Sequence, residues 1–435
     1  MTERILPVAI IGAGFSGLMV AAQLARRGVD STLVDPRPIH GQGVAYSTSE
    51  RAMLLNVPAR GMSAWPDHPE DFVADEDPAR FAARQEYGAY LAAIHAAAVE
   101  TGHVRSLHRR SHRIEWIADR WRIHLSDGST LDAQHVVLAT GNEPPDTPSW
   151  AHGLGDAFIA NPWSKAARTV LRDKTTCDLL VLGSGLTMVD AALLYDASGK
   201  RGRMTVLSRR GQIPRAHGAS PPAPVEYDDI PLERISTTLR WLRNRAEVYG
   251  WRATIDALRP HSARIWQRLD GRQRRRFLRH ALPWWNVHRH RLAPEIAKRI
   301  DHMRRDGRIE LMAGRVLSAK KADAGGIELV ISPKGASSQL LTLRVDAIIN
   351  AIGPNGSMAN LSNPLLQQLV LDGIVPIDDQ GIGIAVDEDL SVAGQQGLWA
   401  LGPPTRGTFW EATAVPDIRG QAERMAETLT RKLAH

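Results

Sequence analysis

Short runs of consecutive apolar residues punctuate the chain at 8–11, 136–139, 179–182 and within VDAIINAIGP, each stopping at a glycine or at a small residue shortly before one. Runs without alternation are buried on both faces, as the central strands of a parallel sheet are. The first passes through GAGFSG into a helical segment, LMVAAQLARRG, and then a second apolar run, STLVD. The third repeats that order as LLVL, GSG, LTMVDAALLY and MTVLS. Strand, glycine turn, helix and strand thus occur twice. Elsewhere, 79–101 shows helical spacing with Arg84 and Tyr87 near the start of an Ala-rich segment, and RWRIHLSDGSTLDAQHVV reads as a hairpin turned at Asp127-Gly128. Further strand patterns lie at 309–317, 326–332, 340–343 and 398–401, and a terminal helix begins near Pro416, a residue tolerated in a first helical turn.

The turns carry the chemistry. Gly12, Gly14 and Gly17 follow the G-x-G-x-x-G spacing. Gly12 permits the tight turn, Gly14 removes the Cβ that would obstruct a pyrophosphate, and Gly17 lets the helix lie close to the strand. The helix that opens at Phe15 and Ser16 aims free N–H groups and its positive dipole end at the phosphates. Asp35 ends the second strand at about the 20-residue offset where an acid accepts hydrogen bonds from a ribose. Thr140 and Gly141, after the 136–139 strand, permit a backbone crossing beside a bound nucleotide. In the second unit Gly183 and Gly185 form the turn, but Met188 stands where the third glycine would be, so the helix must pack differently. Its second strand ends in Ser208, Arg209 and Arg210 rather than an acid. A cationic, hydroxyl-bearing strand end suits a 2′-phosphate, which points to NADPH.

The expected fold class is therefore α/β, with two Rossmann-like dinucleotide-binding domains. The first is discontinuous, 1–160 and 345–435, because two strand-to-exit crossings, at LATGNEP and NAIGP, are what an interrupted domain needs. The second spans 161–344 and contains a helical Arg/Trp-rich insertion at about 214–305.

Composition narrows the function. At 435 residues the chain is long enough for two or three domains. No apolar run approaches the ~18 residues that span a bilayer, and no signal pattern opens the chain, so no membrane contact and a cytoplasmic location are expected. The single cysteine, Cys177, excludes an intrachain disulfide and any two-cysteine redox centre. A net charge of +7 raises the question of nucleic acid, and RIWQRLDGRQRRRFLRHALPWWNVHRHRL interleaves arginine with aromatics as stacking surfaces do. Its Trp and Leu spacing already fits helices packed on a core with solvated basic faces, so nucleic acid is not the expected partner. His288 and His290 diverge on a helix and bring no carboxylate or thiolate with them, so no metal site is expected.

Between Asp35 and about residue 72 the chain has no sustained period, yet Val44, Tyr46, Leu54, Leu55, Val57, Met62 and Trp65 need something to pack on. A loop returning over a cofactor would satisfy both observations, with Asn56 and Arg60 as its polar contacts or as braces of the loop itself. The segment 408–415 lies ahead of the last helix, whose N-terminus favours developing negative charge. Trp410 and Glu411 are its candidate site residues, or they pack and cap that helix.

Together GAGFSG, LATG, LGSG, NAIG and LWALGP resemble the flavoproteins with two dinucleotide-binding domains. GVAYST, LLNVPARGMSAWPDHPEDF, EYGAYL, GSGLTMVD, SRRGQIPRAHG and FWEATAVPDIRGQA are similar to FAD/NAD(P)-binding proteins related to the N-hydroxylating flavin monooxygenases. The resemblance covers nearly the whole chain and implies FAD held by Gly12, Gly14, Gly17 and Asp35, with NADPH over Gly183, Gly185 and Arg209. Related enzymes end the C-terminal strand in Gly-Asp, whose acid contacts the flavin; here Gly402-Pro403 stands instead, and another group must serve. The implied activity is oxygenation of a nitrogen or sulfur centre of a small molecule by NADPH and dioxygen. Asn56, Arg60, Trp410 and Glu411 would bond the flavin ring edge. Flavin-dependent NAD(P)H reduction or oxidation without oxygen insertion needs the same two sites and stays open at this level. So does a non-catalytic flavin-binding or interaction protein.

Overall fold

The last four residues of LPVAII are buried, and this strand, β1 (Leu6–Ile11), is the axis of the first sheet. It lies between parallel neighbours β2 (Ser31–Val34) and β6 (Thr130–Leu138), with β3 (Val104–Leu107) beyond β2. The long β6 has two partners on its other side in succession. Its first half pairs antiparallel with β5 (Arg120–Leu125), which continues to β4 (Ser111–Ile117), and its second half pairs parallel with β14 (Leu398–Ala400). The structure, a computed structural model, describes residues 5–73, 76–173, 178–199, 202–323, 325–335 and 339–434; Cys177 lies outside them.

The second sheet is built on the same plan. Parallel strands β7 (Phe158–Ile159), β13 (Ala347–Asn350), β8 (Leu179–Leu182), β9 (Met204–Ser208) and the first half of β10 (Ile309–Lys321) lie side by side. The second half of β10 then pairs antiparallel with β11 (Ile327–Pro333), which pairs with β12 (Leu341–Val345). Because β7 and β13 belong here, the crossings between sheets fall before residue 158 and after residue 350. The division read at 160 and 345 is therefore corrected by a few residues at each end: the apolar run in VDAIINAIGP needed the second sheet to bury both its faces.

Helix α1 (Phe15–Ala25) is buried along its whole length, between the first sheet, α2 (Arg84–Glu100) and the last helix, α12 (Val415–Leu433). In the second unit α3 (Lys165–Arg172) and α4 (Leu186–Ala197) pack together. Between β9 and β10 the chain runs through α5 (Ile235–Tyr249), α6 (Trp251–Leu258), α7 (Ser262–Arg268), α8 (Gly271–Arg276), α9 (Leu282–Arg289) and α10 (Pro294–Arg305). These are the helical insertion. Helix α11 (Pro364–Leu371), which the sequence pattern did not announce, covers β4.

The irregular stretch after Asp35 joins the two cores. Tyr46 and Phe72 set their rings 4.7 and 5.0 Å from that of Tyr87 in the first, whereas Met53 is buried in the second. Val44, expected to pack, is instead 56% exposed. Arg84 at the start of α2 reaches Asp190 of α4 at 2.9 Å, a buried ion pair between the two units.

Candidate functional site

Both glycine turns sit at the carboxyl ends of parallel strands, where open α/β sheets hold ligands. A Cβ on Gly12 would lie 2.3 Å from the Ala139 carbonyl oxygen, and one on Gly17 would lie 1.9 Å from that of Gly12. Close protein contacts dictate both glycines. Gly14 differs: its φ of −78° suits any residue, and the nearest atom to its missing Cβ is Gly43 Cα at 3.6 Å. The fold does not need glycine there. The start of α1 has no side-chain cap and is left open there, as a helix end that receives an anionic ligand would be.

The second turn repeats this division of labour. Gly183 has φ +92° and a Cβ there would lie 2.2 Å from the Ala351 carbonyl oxygen, whereas Gly185 has φ −84° and open space around its missing Cβ. Met188, at the third-glycine position, is buried in the core with Val181 and Val206. Ser208 braces the turn, with its hydroxyl 2.9 Å from that of Ser184 and accepting from the Gly211 N–H at 3.0 Å. Arg209 is exposed, and the Arg210 guanidinium lies 5.9 Å from the Trp284 ring centre.

Around the first turn, a Cβ on Gly402 would meet the Ser16 hydroxyl at 2.6 Å, and Thr140 Oγ1 is buried without a partner among the described residues. Gly141 has φ +74° and faces open space. Asp35, one residue past β2, is already engaged. It accepts from the Ala13 N–H at 2.9 Å and from the Arg37 guanidinium at 2.6 Å. Burial alone would raise its carboxyl pKa, but the Arg37 hydrogen bond and charge outweigh this and hold it below the usual carboxylate range. Arg37 also gives Asp35 Oδ1 its backbone N–H and its Nε, each at 2.9 Å, so the roughly four lone-pair sites of the carboxylate are filled, and a ribose bound here would have to displace one of the Arg37 bonds.

The four candidate contacts of the ring end separate into two places. Asn56 gives its carbonyl to His217 Nε2 at 3.0 Å, and Arg60 is exposed with its backbone N–H on the Pro78 carbonyl. Trp410 stacks on Trp266 at 4.6 Å and meets Phe277 edge-on at 5.5 Å. Glu411 does not cap α12, which has no side-chain cap. Its carboxylate takes Trp285 Nε1 at 2.5 Å and Arg289 Nε at 2.7 Å, and both members of the ion pair are nine-tenths buried. Its φ of +73° is a conformation non-glycine residues adopt at a cost. The two anchored oxygens hold it there, so Glu411 is a clasp between insertion and tail rather than a free acceptor.

Several residues of this junction had no motif. Arg259 Nη2, Arg289 Nη2, Asp417 Oδ2 and Trp410 Nε1 are all buried without partners among the described residues. Burial lowers the Arg259 pKa, raises that of the Asp417 carboxyl and lowers that of His290. Asp417 lies in the first turn of α12, where the sequence suggested only a dipole partner. The arginines and tryptophans were visible as composition; their convergence was not. No group of three or more metal-ligating side chains, and no helix long and apolar enough to cross a membrane, occurs among the described residues.

Residues 9–143 match the FAD-NAD(P)-binding family. Among curated proteins, the indole-3-pyruvate monooxygenase YUCCA1 of Oryza sativa subsp. japonica is 26% identical over 212 residues, 47% of this chain and 49% of its own. The chain thus spans about half the length of this relative. Two solved structures are similar over almost all of both chains. The L-lysine 6-monooxygenase from Pseudomonas syringae has a TM-score of 0.70 at 16% identity, covering 98% of this chain and 99% of that one. The ornithine N-hydroxylase KtzI of Kutzneria sp. 744, solved with reduced FAD, NADP+ and L-ornithine, has 0.69 at 14%, covering 99% and 100%. At these identities the likeness establishes the fold.

Proposed function

From a chain that carries an FAD-NAD(P)-binding domain within the two-Rossmann fold of the flavin monooxygenases, we propose an FAD-dependent, NADPH-using monooxygenase that acts on a nitrogen or sulfur centre of a small molecule. The observation that carries this reading is the pair of glycines, Gly14 and Gly185, that neither backbone angle nor packing requires, each at the uncapped start of a buried helix. Overall, NADPH supplies two electrons, one atom of dioxygen joins the substrate and the other leaves as water. The flavin supplies hydride acceptance and dioxygen activation when bound.

The protein's own groups bind, orient and exclude water. Gly14, Phe15 and Ser16 present the start of α1 to the FAD pyrophosphate, Asp35 takes the ribose in exchange for one of its Arg37 bonds, and Gly402, Thr140 and Gly141 leave room beside it. Gly183 and Gly185 receive NADPH, and Ser208 holds the turn from which Arg209 and Arg210 reach the 2′-phosphate. Asn56 and Arg60 lie on the covering loop. The acid absent at Pro403 is replaced by the α12 N-terminus with Asp417 and the two arginines, whose unpartnered atoms fit a polar ring edge. Trp410 walls the site, positioned by Glu411. The basic helices serve this wall rather than nucleic acid, and a cytoplasmic location belongs to the same reading.

Anaerobic mixing of the FAD-loaded protein with NADPH, followed by aerated buffer and a panel of amines and thio compounds, tests it. Flavin bleaching and one oxygenated product per NADPH are expected with a substrate of the panel. Electrons recovered entirely as hydrogen peroxide or reduced acceptor would make it an oxidase or reductase instead.

A further inference from the structure

The insertion and Trp410 line a partly open cavity of about 630 Å³, within the ~300–1,000 Å³ range of sites for drug-sized ligands. Its walls are mostly apolar and strongly aromatic, with Leu242, Ile255, Trp266, Phe277, Trp285 and Trp410 prominent, and its charged or titratable lining is limited to the exposed Arg243 and His280 and the half-buried His288. The hydroxyls that line it are spent within their own helices. Thr238 donates to the Pro231 carbonyl, Thr254 to Gly250 and Ser262 to Leu258. No carboxylate lines the cavity, because Glu411 lies behind Trp285 in its clasp with Arg289. One wall group is a buried donor without a partner among the described residues: Trp410 Nε1.

Location gives the cavity a meaning. Trp410 belongs to the segment between β14 and α12, at the first nucleotide unit, whereas Trp284, half exposed at the mouth, neighbours Arg210 of the second nucleotide turn. The cavity, lined otherwise by the insertion, therefore has a residue of the first unit's tail in its wall and the second unit's turn beside its Trp284. We infer that it is the substrate site and takes an uncharged aromatic molecule bearing one hydrogen-bond acceptor, which Trp410 Nε1 engages. This rests on the monooxygenase reading only for the word substrate. An ammonium or zwitterion entering here would lose its hydration and find no anionic partner, a cost that apolar walls do not return. A flat neutral ring gains burial against tryptophan faces at little cost.

Calorimetric titration of the full, FAD-loaded chain with quinoline, indole and L-ornithine tests this, with flavin absorbance and circular dichroism reporting that each variant is folded. Quinoline has a ring nitrogen that accepts; indole of similar size only donates. Both should bind, and L-ornithine should not. Leu242→Trp fills the cavity and should weaken both aromatics at least about 10-fold, and Ile255→Trp gives the same test should the first variant not fold. Trp410→Phe keeps a ring on Trp266 but deletes the donor, so quinoline alone should lose roughly 3- to 10-fold. Aromatic binding unchanged in both filled variants, or L-ornithine binding more tightly than the aromatics, overturns the inference. So would sedimentation in which Leu242→Trp turns a dimer into a monomer, since the occupant would then be a second copy. NADPH that fails to bleach the flavin while the titrations behave as expected would sink the activity and leave the cavity assignment standing.

Discussion

Glycines with the same place in a motif do different work, and single substitutions separate them. Gly12→Ala sets a Cβ against the Ala139 carbonyl oxygen at a φ of +101°, so it should destabilise the fold by several kcal/mol, about 3 or more. Gly14→Ala meets nothing closer than 3.6 Å and should cost about 1 kcal/mol or less as a helix N-cap change. It should nevertheless weaken FAD binding roughly 10-fold or more. Denaturation of the apoprotein set beside FAD titration measures the contrast, and unaltered FAD affinity in Gly14→Ala would remove the first turn from the site. Glu411 makes a different kind of prediction. Removing one partner of a buried ion pair leaves the other uncompensated, so Glu411→Ala should cost about 3–5 kcal/mol in urea denaturation. Glu411→Gln, which keeps the shape and an acceptor for Trp285, should cost less.

Among the elements, the two βαβ units differ in the residues that end their second strands, and under the proposed reading this difference divides the cofactors. After β2 comes Asp35, held anionic by Arg37, and at the end of β9 stand Ser208, Arg209 and Arg210. Arg209→Ala should therefore raise the KM for NADPH about 10-fold while changing that for NADH little, the loss expected of a charge-assisted phosphate contact. Steady-state flavin reduction with each nicotinamide reads it directly, and equal effects on both would end the 2′-phosphate assignment. Helix α12 links function to stability, since its apolar face against α1 includes Met425 and Leu429, both fully buried. Leu429→Ala should cost about 2–5 kcal/mol. It should also loosen the α12 N-terminus at the site, so thermal melting and FAD retention should fall together.

Across the whole molecule, one buried and four half-buried histidines shape the acid limit. Burial lowers the pKa of His40, His95, His217 and His290, and that of His135 to about 4, with Lys432 assisting there. Unfolded histidine titrates near 6.5, so below that pH the unfolded chain binds protons that the folded chain does not. Stability should be fully present above about pH 6.5 and should fall as the pH drops from there towards 4. Chemical denaturation at stepped pH checks this; a flat profile between 7 and 5 would mean that these rings are hydrated and titrate normally. The ion pair of Arg84 with Asp190 lies at the same scale. It ties α2 to α4 and, with the loop that seats Met53 in the second core, fixes the two nucleotide units relative to each other.

Local and periodic features were legible in the order of residues alone. Unbroken apolar runs ending in glycine marked strands buried on both faces, and glycine spacing placed the turns at the right residues, because backbone sterics and strand burial act within a few neighbours. The second core drew in β7 and β13, beyond the boundaries read at 160 and 345, because a short apolar strand carries no label saying which sheet will bury it. Composition in the insertion was legible as arginine and tryptophan on helices. That Trp266, Phe277 and Trp285 would meet Trp410 from more than a hundred residues away, and that Glu411 would be clasped by Arg289, was not. Those contacts depend on how the insertion folds back on the tail, a long-range packing choice made by the shape of two cores and not by any local pattern. Long-range packing thus decided which charges are satisfied, which donors are left free, and where a cavity remains.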